Sequence, residues 1–315
     1  MNFQGQHLLS ARTLSKEAIE RILEVAKEME PYAQKEEASD LLKGKVLATL
    51  FFEPSTRTRF SFETAMLRLG GSVISNYTMN ESSSIKKRES LYDTGKTVSQ
   101  FADVIAMRHP VEGAVKELAE GSEVPVLNGG DGGANHPTQG LLDIYTIHKK
   151  FGHFGGLTYG LVGDMKNSRV AHSQCRLIKN FGPAEARPKF ICVAPQGLEL
   201  PEDLKKELTD SGCEIRETTD LEEVIGGFDV LSNTRIQEER FENAEAFEKY
   251  RGVYSITPKL LEGAKEEMII LDPLPRVDDQ LKVAVDDDPR AKYFEQIGNG
   301  VAVRMALLAL VLGKI

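Results

Sequence analysis

The stretch KVLATLFF, residues 45–52, is almost wholly apolar and lacks the alternation of a strand with one wet face. So short and continuous a run reads as a parallel strand covered on both sides, and parallel neighbours need crossover connections, usually helices. The chain supplies that alternation. Further strands are expected at 72–77, 103–107 and 124–128, with helical stretches near 58–69, 90–101 and 113–120 between them. Upstream, Ser15 caps a run with Ile19, Ile22, Leu23, Ala26 and Met29 on one face, and Pro31 is expected to stop it. A helix from Pro137 to about Lys150, followed by FGHFGG, reads as a joint between two halves. A second series then begins, with strands expected at 157–163, 189–194, 229–234 and 268–272. The expected fold class is α/β: two doubly wound parallel-sheet domains flanking one active-site cleft. Their expected bounds are 1–148 and 149–291, with a C-terminal helix, 292–315, packing back on the first.

A chain of 315 residues suits two cores better than one. With 41% hydrophobic and 28% charged residues the composition is ordinary for a globular protein, and the net charge of −9 argues against a nucleic-acid partner. Cys175, Cys192 and Cys213 are too few and too scattered for a disulfide framework or a metal clip. A reducing cytoplasm is the expected location. The first residues offer only Leu8 and Leu9 where a secretory signal needs a longer apolar core. Val301 to Leu312 carries Arg304 and is too short to span a bilayer, so it is expected to be a buried helix, with no membrane partner.

In open parallel sheets, ligands sit beyond the carboxyl ends of strands, where helix N-termini present unbonded N–H groups. FFEPSTRTRFSFETA, 51–65, lies at such a place. Its Ser55, Thr56 and Thr58 hydroxyls, the Arg57 fork and the helix dipole together suit a phosphate. Alone, the stretch would read as a capped helix start with surface arginines; similar features downstream argue against that. Arg108, in RHP, directly follows the strand expected at 103–107 and lies beside the same sheet edge. In GDGGANHPTQG, 130–140, Pro137 opens a helix and places His136 at its N-terminus, which favours a neutral imidazole able to donate to a carbonyl oxygen. From the second half, Arg169 and Arg235 follow strands and suit carboxylates across the cleft. In DPLPR, 272–276, two prolines lack N–H groups, which leaves carbonyls such as that of Leu274 to accept from an ammonium group.

Other patterns are discounted. TGKT, 94–97, lacks the first glycine of a phosphate-binding loop and precedes a strand; YGLVGD, 159–164, does not complete a dinucleotide fingerprint. His172 and Cys175 are spaced like a metal pair, but no second pair matches them and a core role fits better. No metal and no cofactor are expected.

With these pieces in place the chain resembles the aspartate and ornithine carbamoyltransferases over nearly its whole length. FFEPSTRTRFSFETA is similar to the family's carbamoyl-phosphate signature, and SSSIKKRESL, MRHPVEGA, HPTQGLLDIYTI, TRIQEER and DPLPRVD follow in family order. The ornithine branch would be expected to show SMG and HCLP motifs, which are absent. The resemblance implies a first domain for carbamoyl phosphate and a second for aspartate. It assigns Ser55, Thr56, Arg57 and Thr58 to the phosphate; Thr58, Arg108 and His136 to the carbonyl oxygen; and Gln139 to the carbamoyl nitrogen. Arg169, Arg235 and Gln237 would take the aspartate carboxylates, and the Leu274 carbonyl the substrate nitrogen. Ser83 and Lys87 match residues that reach into the site from a neighbouring chain of a homotrimer. Whether separate regulatory chains attach is left open. Asp272 stands where the family often has His, with Arg276 as an expected partner, and Gly140 replaces a commoner Thr. Three further readings remain: a sibling transferase using another amine, a non-catalytic anion-binding homologue, and a nicotinamide dehydrogenase. A substrate panel, binding without turnover, and NAD binding respectively would reveal them.

Overall fold

The computed structural model describes residues 2–77, 79, 88–133, 135–238, 241, 243–276 and 280–315. It divides into two compact units, 1–145 with 297–315, and 146–296. In the first unit α1 (Lys16–Glu28) begins where the Ser15 hydroxyl accepts from the Ala18 N–H at 3.2 Å. α2 (Glu30–Ala33) follows at once. Four parallel strands, β1 (Val46–Phe51), β2 (Ser72–Asn76), β3 (Val104–His109) and β4 (Val126–Asp131), lie in the order β2-β1-β3-β4. The connections contain α3 (Thr56–Arg68), α4 (Leu91–Val98) and α5 (Ala114–Gly121), and α6 (Pro137–Phe151) follows β4. β1 is buried along nearly its whole length, which is why its sequence is an almost continuous apolar run, and β4 is buried throughout although it carries Asn128 and Asp131. On one face, Leu50, Ile105, Met107 and Val126 pack with Val115 and Leu118 of α5.

The second unit repeats the plan with five parallel strands: β5 (Thr158–Gly163), β6 (Lys189–Val193), β7 (Glu214–Thr218), β8 (Val230–Thr234) and β9 (Ile269–Leu271), ordered β7-β6-β5-β8-β9. Its helices are α7 (Arg169–Ile178), α8 (Glu202–Asp210), α9 (Leu221–Val224), α10 (Ala244–Glu248) and α11 (Pro258–Leu261), and α12 (Tyr293–Val311) ends the chain. Val162, Leu231 and Ile270 of β5, β8 and β9 pack with Phe228, Ile256 and Tyr293 in the core. In each sheet the chain winds out one way and then returns to the other side of its first strand. The strand order therefore reverses between β1 and β3, and again between β5 and β8.

Three expectations change. β7, EIRET, went unread because it is an edge strand with no fully buried position, which leaves no apolar run. Pro31 does not simply end a helix: α1 stops at Glu28 and Pro31 sits in the first turn of α2, where its missing N–H costs nothing. The C-terminal helix runs over Tyr293–Val311, 19 residues, and so begins at the expected place but stops short of the expected 315; 72% of its most apolar window is buried in the structure.

Candidate active site

The end of β1 and the end of β3 are adjacent in register: Phe51 pairs with Arg108, and the Phe52 N–H donates to the Arg108 carbonyl at 2.9 Å. This is the switch point of the first sheet, and it brings Ser55 and Arg108, 53 residues apart in sequence, to one edge. Ser55 occupies the N-cap position of α3 with extended backbone, yet its hydroxyl makes no capping bond to the helix. Arg108 Nη1 donates to that hydroxyl at 3.4 Å, and Arg108 Nε donates to Glu53 at 2.5 Å. Thr56 and Arg57 are exposed in the first turn, while Thr58 is buried. A Cβ on Gly129 of β4 would come within 3.3 Å of the Thr58 methyl, so a small residue in β4 makes room for it. The two arginines of the motif part company: Arg59 pairs with Glu63 at 3.7 Å and lies against the Phe60 and Tyr77 rings.

His136 is buried at the start of α6, and its carbonyl accepts from the Gln139 and Gly140 N–H groups at 3.0 and 3.1 Å. Gln139 Nε2 donates to Asp143 at 2.8 Å, one turn further on. Behind this turn lies Arg304 of α12. Its guanidinium donates to Ser61 at 2.9 Å and to Thr138 at 3.3 Å, and so ties the second turn of α3 to the first turn of α6. Burial pushes this guanidinium down to about 9, with Asp143 opposing the shift.

The second unit has its own switch point, where Gly163 at the end of β5 pairs with Thr234 at the end of β8. Gly163 has φ +115°, and a Cβ there would stand 1.9 Å from the Thr234 carbonyl oxygen, so only glycine permits this approach. Half-buried Arg169 opens α7, where the Ser168 hydroxyl accepts from the Ala171 N–H at 3.2 Å. The Asn167 carbonyl accepts both the Arg169 N–H at 3.0 Å and Gln237 Nε2 at 3.1 Å. That bond joins NSR to the TRIQ segment, in which half-buried Arg235 follows β8 directly. Leu274 follows β9 in a left-handed conformation, φ +55°, with a cis bond to Pro275.

Arg276 does not pair with Asp272 as expected. It forks onto Asp286 at 2.8 and 3.0 Å, and with the Tyr293 hydroxyl also donating there, the Asp286 carboxyl is held below its ordinary range. Asp272 is committed elsewhere, to the Leu274 N–H at 2.6 Å and Asn233 Nδ2 at 2.7 Å. Ser83 and Lys87 lie outside the described residues. His172 is a core residue bonded to the Met165 carbonyl at 2.7 Å, and Cys175 is fully buried. Sequence reasoning missed Glu53, Asp143, Asn233 and the contacts of Arg304. Only Glu53 carried a signal, being inside the phosphate motif.

Two family descriptions match the chain: "Aspartate/ornithine carbamoyltransferase, carbamoyl-P binding domain" over residues 6–149, and "Aspartate/ornithine carbamoyltransferase, Asp/Orn binding domain" over 155–311. The chain is similar to an aspartate carbamoyltransferase catalytic subunit of Archaeoglobus fulgidus, 50% identical over 98% of this chain and 99% of that protein. It is 48% identical to one from Thermococcus gammatolerans, over 99% of both. Among solved structures it resembles Trypanosoma cruzi aspartate transcarbamoylase in complex with carbamoyl aspartate and phosphate, with TM-score 0.91, 40% identity, and coverage of 98% of this chain and 97% of that one. Both family descriptions, relatives matching over full length and strand-end arginines at two switch points point the same way: this chain belongs to the aspartate/ornithine carbamoyltransferase family.

Proposed function

We infer that the chain transfers the carbamoyl group of carbamoyl phosphate to the α-amine of L-aspartate, giving N-carbamoyl-L-aspartate and phosphate, an early step of pyrimidine synthesis. The observation that carries this reading is the pairing of cationic side chains with both switch points. Arg57 and Arg108 stand at the first, beside a helix start whose Ser55 hydroxyl is not used for capping; Arg169 and Arg235 stand at the second. The first unit binds carbamoyl phosphate: Ser55, Thr56, Arg57 and Thr58 take the phosphate, Gln139 the carbamoyl nitrogen. The second binds aspartate through Arg169, Arg235, Gln237 and the Leu274 carbonyl. Two guanidiniums suit a dicarboxylate better than the cationic side chain of ornithine.

The neutral amine attacks the carbamoyl carbon. Negative charge growing on the carbonyl oxygen is held by Arg108, Thr58 and His136 at the start of α6. The C–O bond to phosphate breaks, phosphate remains with Arg57 and the α3 N-terminus, and the amine proton passes to the departing phosphate. No covalent enzyme intermediate, metal or cofactor takes part. The assay is phosphate release from carbamoyl phosphate with L-aspartate, L-ornithine or no amine. Release that needs L-aspartate is the expected result; release with ornithine alone places the chain in the sibling activity, and binding without release makes it a non-catalytic homologue.

The working form is a homotrimer in the cytoplasm, with Ser83 and Lys87 completing a neighbour's site. Its support is an apolar surface on α3 and the edge strand β2: Phe60, Leu67, Ile74 and Tyr77 are 51%, 57%, 44% and 63% exposed, and the segment carrying Ser83 and Lys87 follows β2 directly. For the compartment, the support is three free, buried cysteines, with burial raising the Cys213 thiol to about 11 and Cys192 to about 12.

A further inference from the structure

Asp272 is 5% exposed, and each of its carboxylate oxygens meets a different element. Oδ1 accepts the Leu274 N–H at 2.6 Å, inside the turn that follows β9. Oδ2 accepts Asn233 Nδ2 at 2.7 Å, on the neighbouring strand β8, two residues before Arg235. The backbone N–H of Asp272 is itself held, donating to Gln296 Oε1 at 3.1 Å. Leu274 has φ +55°, which a leucine reaches only at a cost of order 1–3 kcal/mol and keeps only when its surroundings hold it there. A carboxylate two residues upstream that accepts its N–H is such a restraint, of the kind an Asp side chain supplies in turns. The same carboxylate fixes that turn to the strand that delivers Arg235 and Gln237.

We propose that Asp272 is a positioning residue for the amine substrate: it sets the direction of the Leu274 carbonyl and its register against Arg235 by bridging the Leu274 N–H to the Asn233 amide. The proposal rests on the reading of Leu274 and Arg235 as amine-substrate groups. Asp272 itself need not touch substrate. A negative charge close to an anion site is admissible because both oxygens are occupied by donors of the chain and serve as a structural hinge point between two elements. Asn233, 3% exposed, is the specific partner.

The test uses the full chain and three variants, each assayed for aspartate-dependent phosphate release and thermal unfolding. Asp272→Ala removes both acceptors and is expected to raise the KM for L-aspartate about tenfold, the scale of one buried hydrogen bond lost, while the KM for carbamoyl phosphate changes less than about twofold. Asn233→Asp sets two carboxylates face to face and is expected to impair aspartate binding likewise. The exchange Asp272→Asn with Asn233→Asp restores a carboxamide–carboxylate pair with its roles reversed, Asn at 272 still accepting the Leu274 N–H; aspartate KM should return to within about threefold of the unsubstituted chain. A purely structural role would move unfolding temperatures and leave the two KM values moving together. An unchanged aspartate KM in Asp272→Ala, or an exchange no better than Asn233→Asp alone, overturns the proposal; should Asp272→Ala fail to fold, the comparison of Asn233→Asp with the exchange decides. Failure of the unsubstituted chain to release phosphate with aspartate refutes the transferase reading itself, before any variant is compared.

Discussion

Arg57 and Arg59 sit two residues apart in one motif and have unlike surroundings. Arg59 is absorbed by Glu63 and two aromatic rings, whereas Arg57 is exposed in the first turn of α3 beside the Ser55–Arg108 contact. Replacing Arg57 by Ala should therefore lower kcat/KM by about 10² or more, as loss of a transition-state donor does. Near-normal turnover in a folded Arg57→Ala chain would return the motif to an ordinary helix start. Asp286 is a second residue with a measurable signature. The Arg276 fork holds its carboxyl below the ordinary range, so the pair's stabilisation is present above the unfolded-state value of about 3.9 and is lost as pH falls through the lower native value. Asp286→Asn should then lower Tm at neutral pH, with the gap to the unsubstituted chain closing on acidification below about 4. A gap that stays constant down to acid pH would mean the carboxylate charge contributes nothing.

At the scale of elements, the site depends on pairs of strand ends. The second switch point exists because Gly163 allows β5 and β8 to approach at φ +115° with the Thr234 carbonyl against its α-carbon. Gly163→Ala should cost more than about 2 kcal/mol, combining left-handed strain with a backbone clash, and should lower the denaturant midpoint accordingly. A midpoint equal to that of the unsubstituted chain would show that the approach is looser than the structure has it. In the first unit a side chain far off in sequence plays the comparable part: Arg304 bonds both Ser61 and Thr138, joining the second turn of α3 to the start of α6.

At the scale of the whole molecule, the proposed trimer has an arithmetical consequence. If Lys87 of one chain completes the site built around Arg57 of the next, inactive Lys87→Ala and Arg57→Ala chains mixed equally will recombine, and about three quarters of random rings will contain both. Each mixed ring has one intact site in three, so activity should recover to about a quarter of the unsubstituted level. If Lys87 acts within its own chain, every site keeps a lesion. No recovery, with exchange of chains verified by mass, would refute the shared site.

What the sequence determined by itself is what local composition can encode. Strands buried on both faces tend to apolar runs, and β1, β3 and β5 were legible for that reason; helix starts carry Ser, Thr or Pro, which located the first turns of α1, α3 and α6. The α/β class and the strand-end arginines followed from those signals. Edge strand β7 has no such signal, since its residues answer to solvent on both sides. Pairing choices were not local either. Arg276 pairs with Asp286, ten residues away, and not with Asp272, four away, while Asp272 accepts from Asn233 on a strand that sequence separation hides. Sequence sets which groups can bond; only the tertiary structure decides which partners come within reach first, because a hydrogen bond is won at about 3 Å.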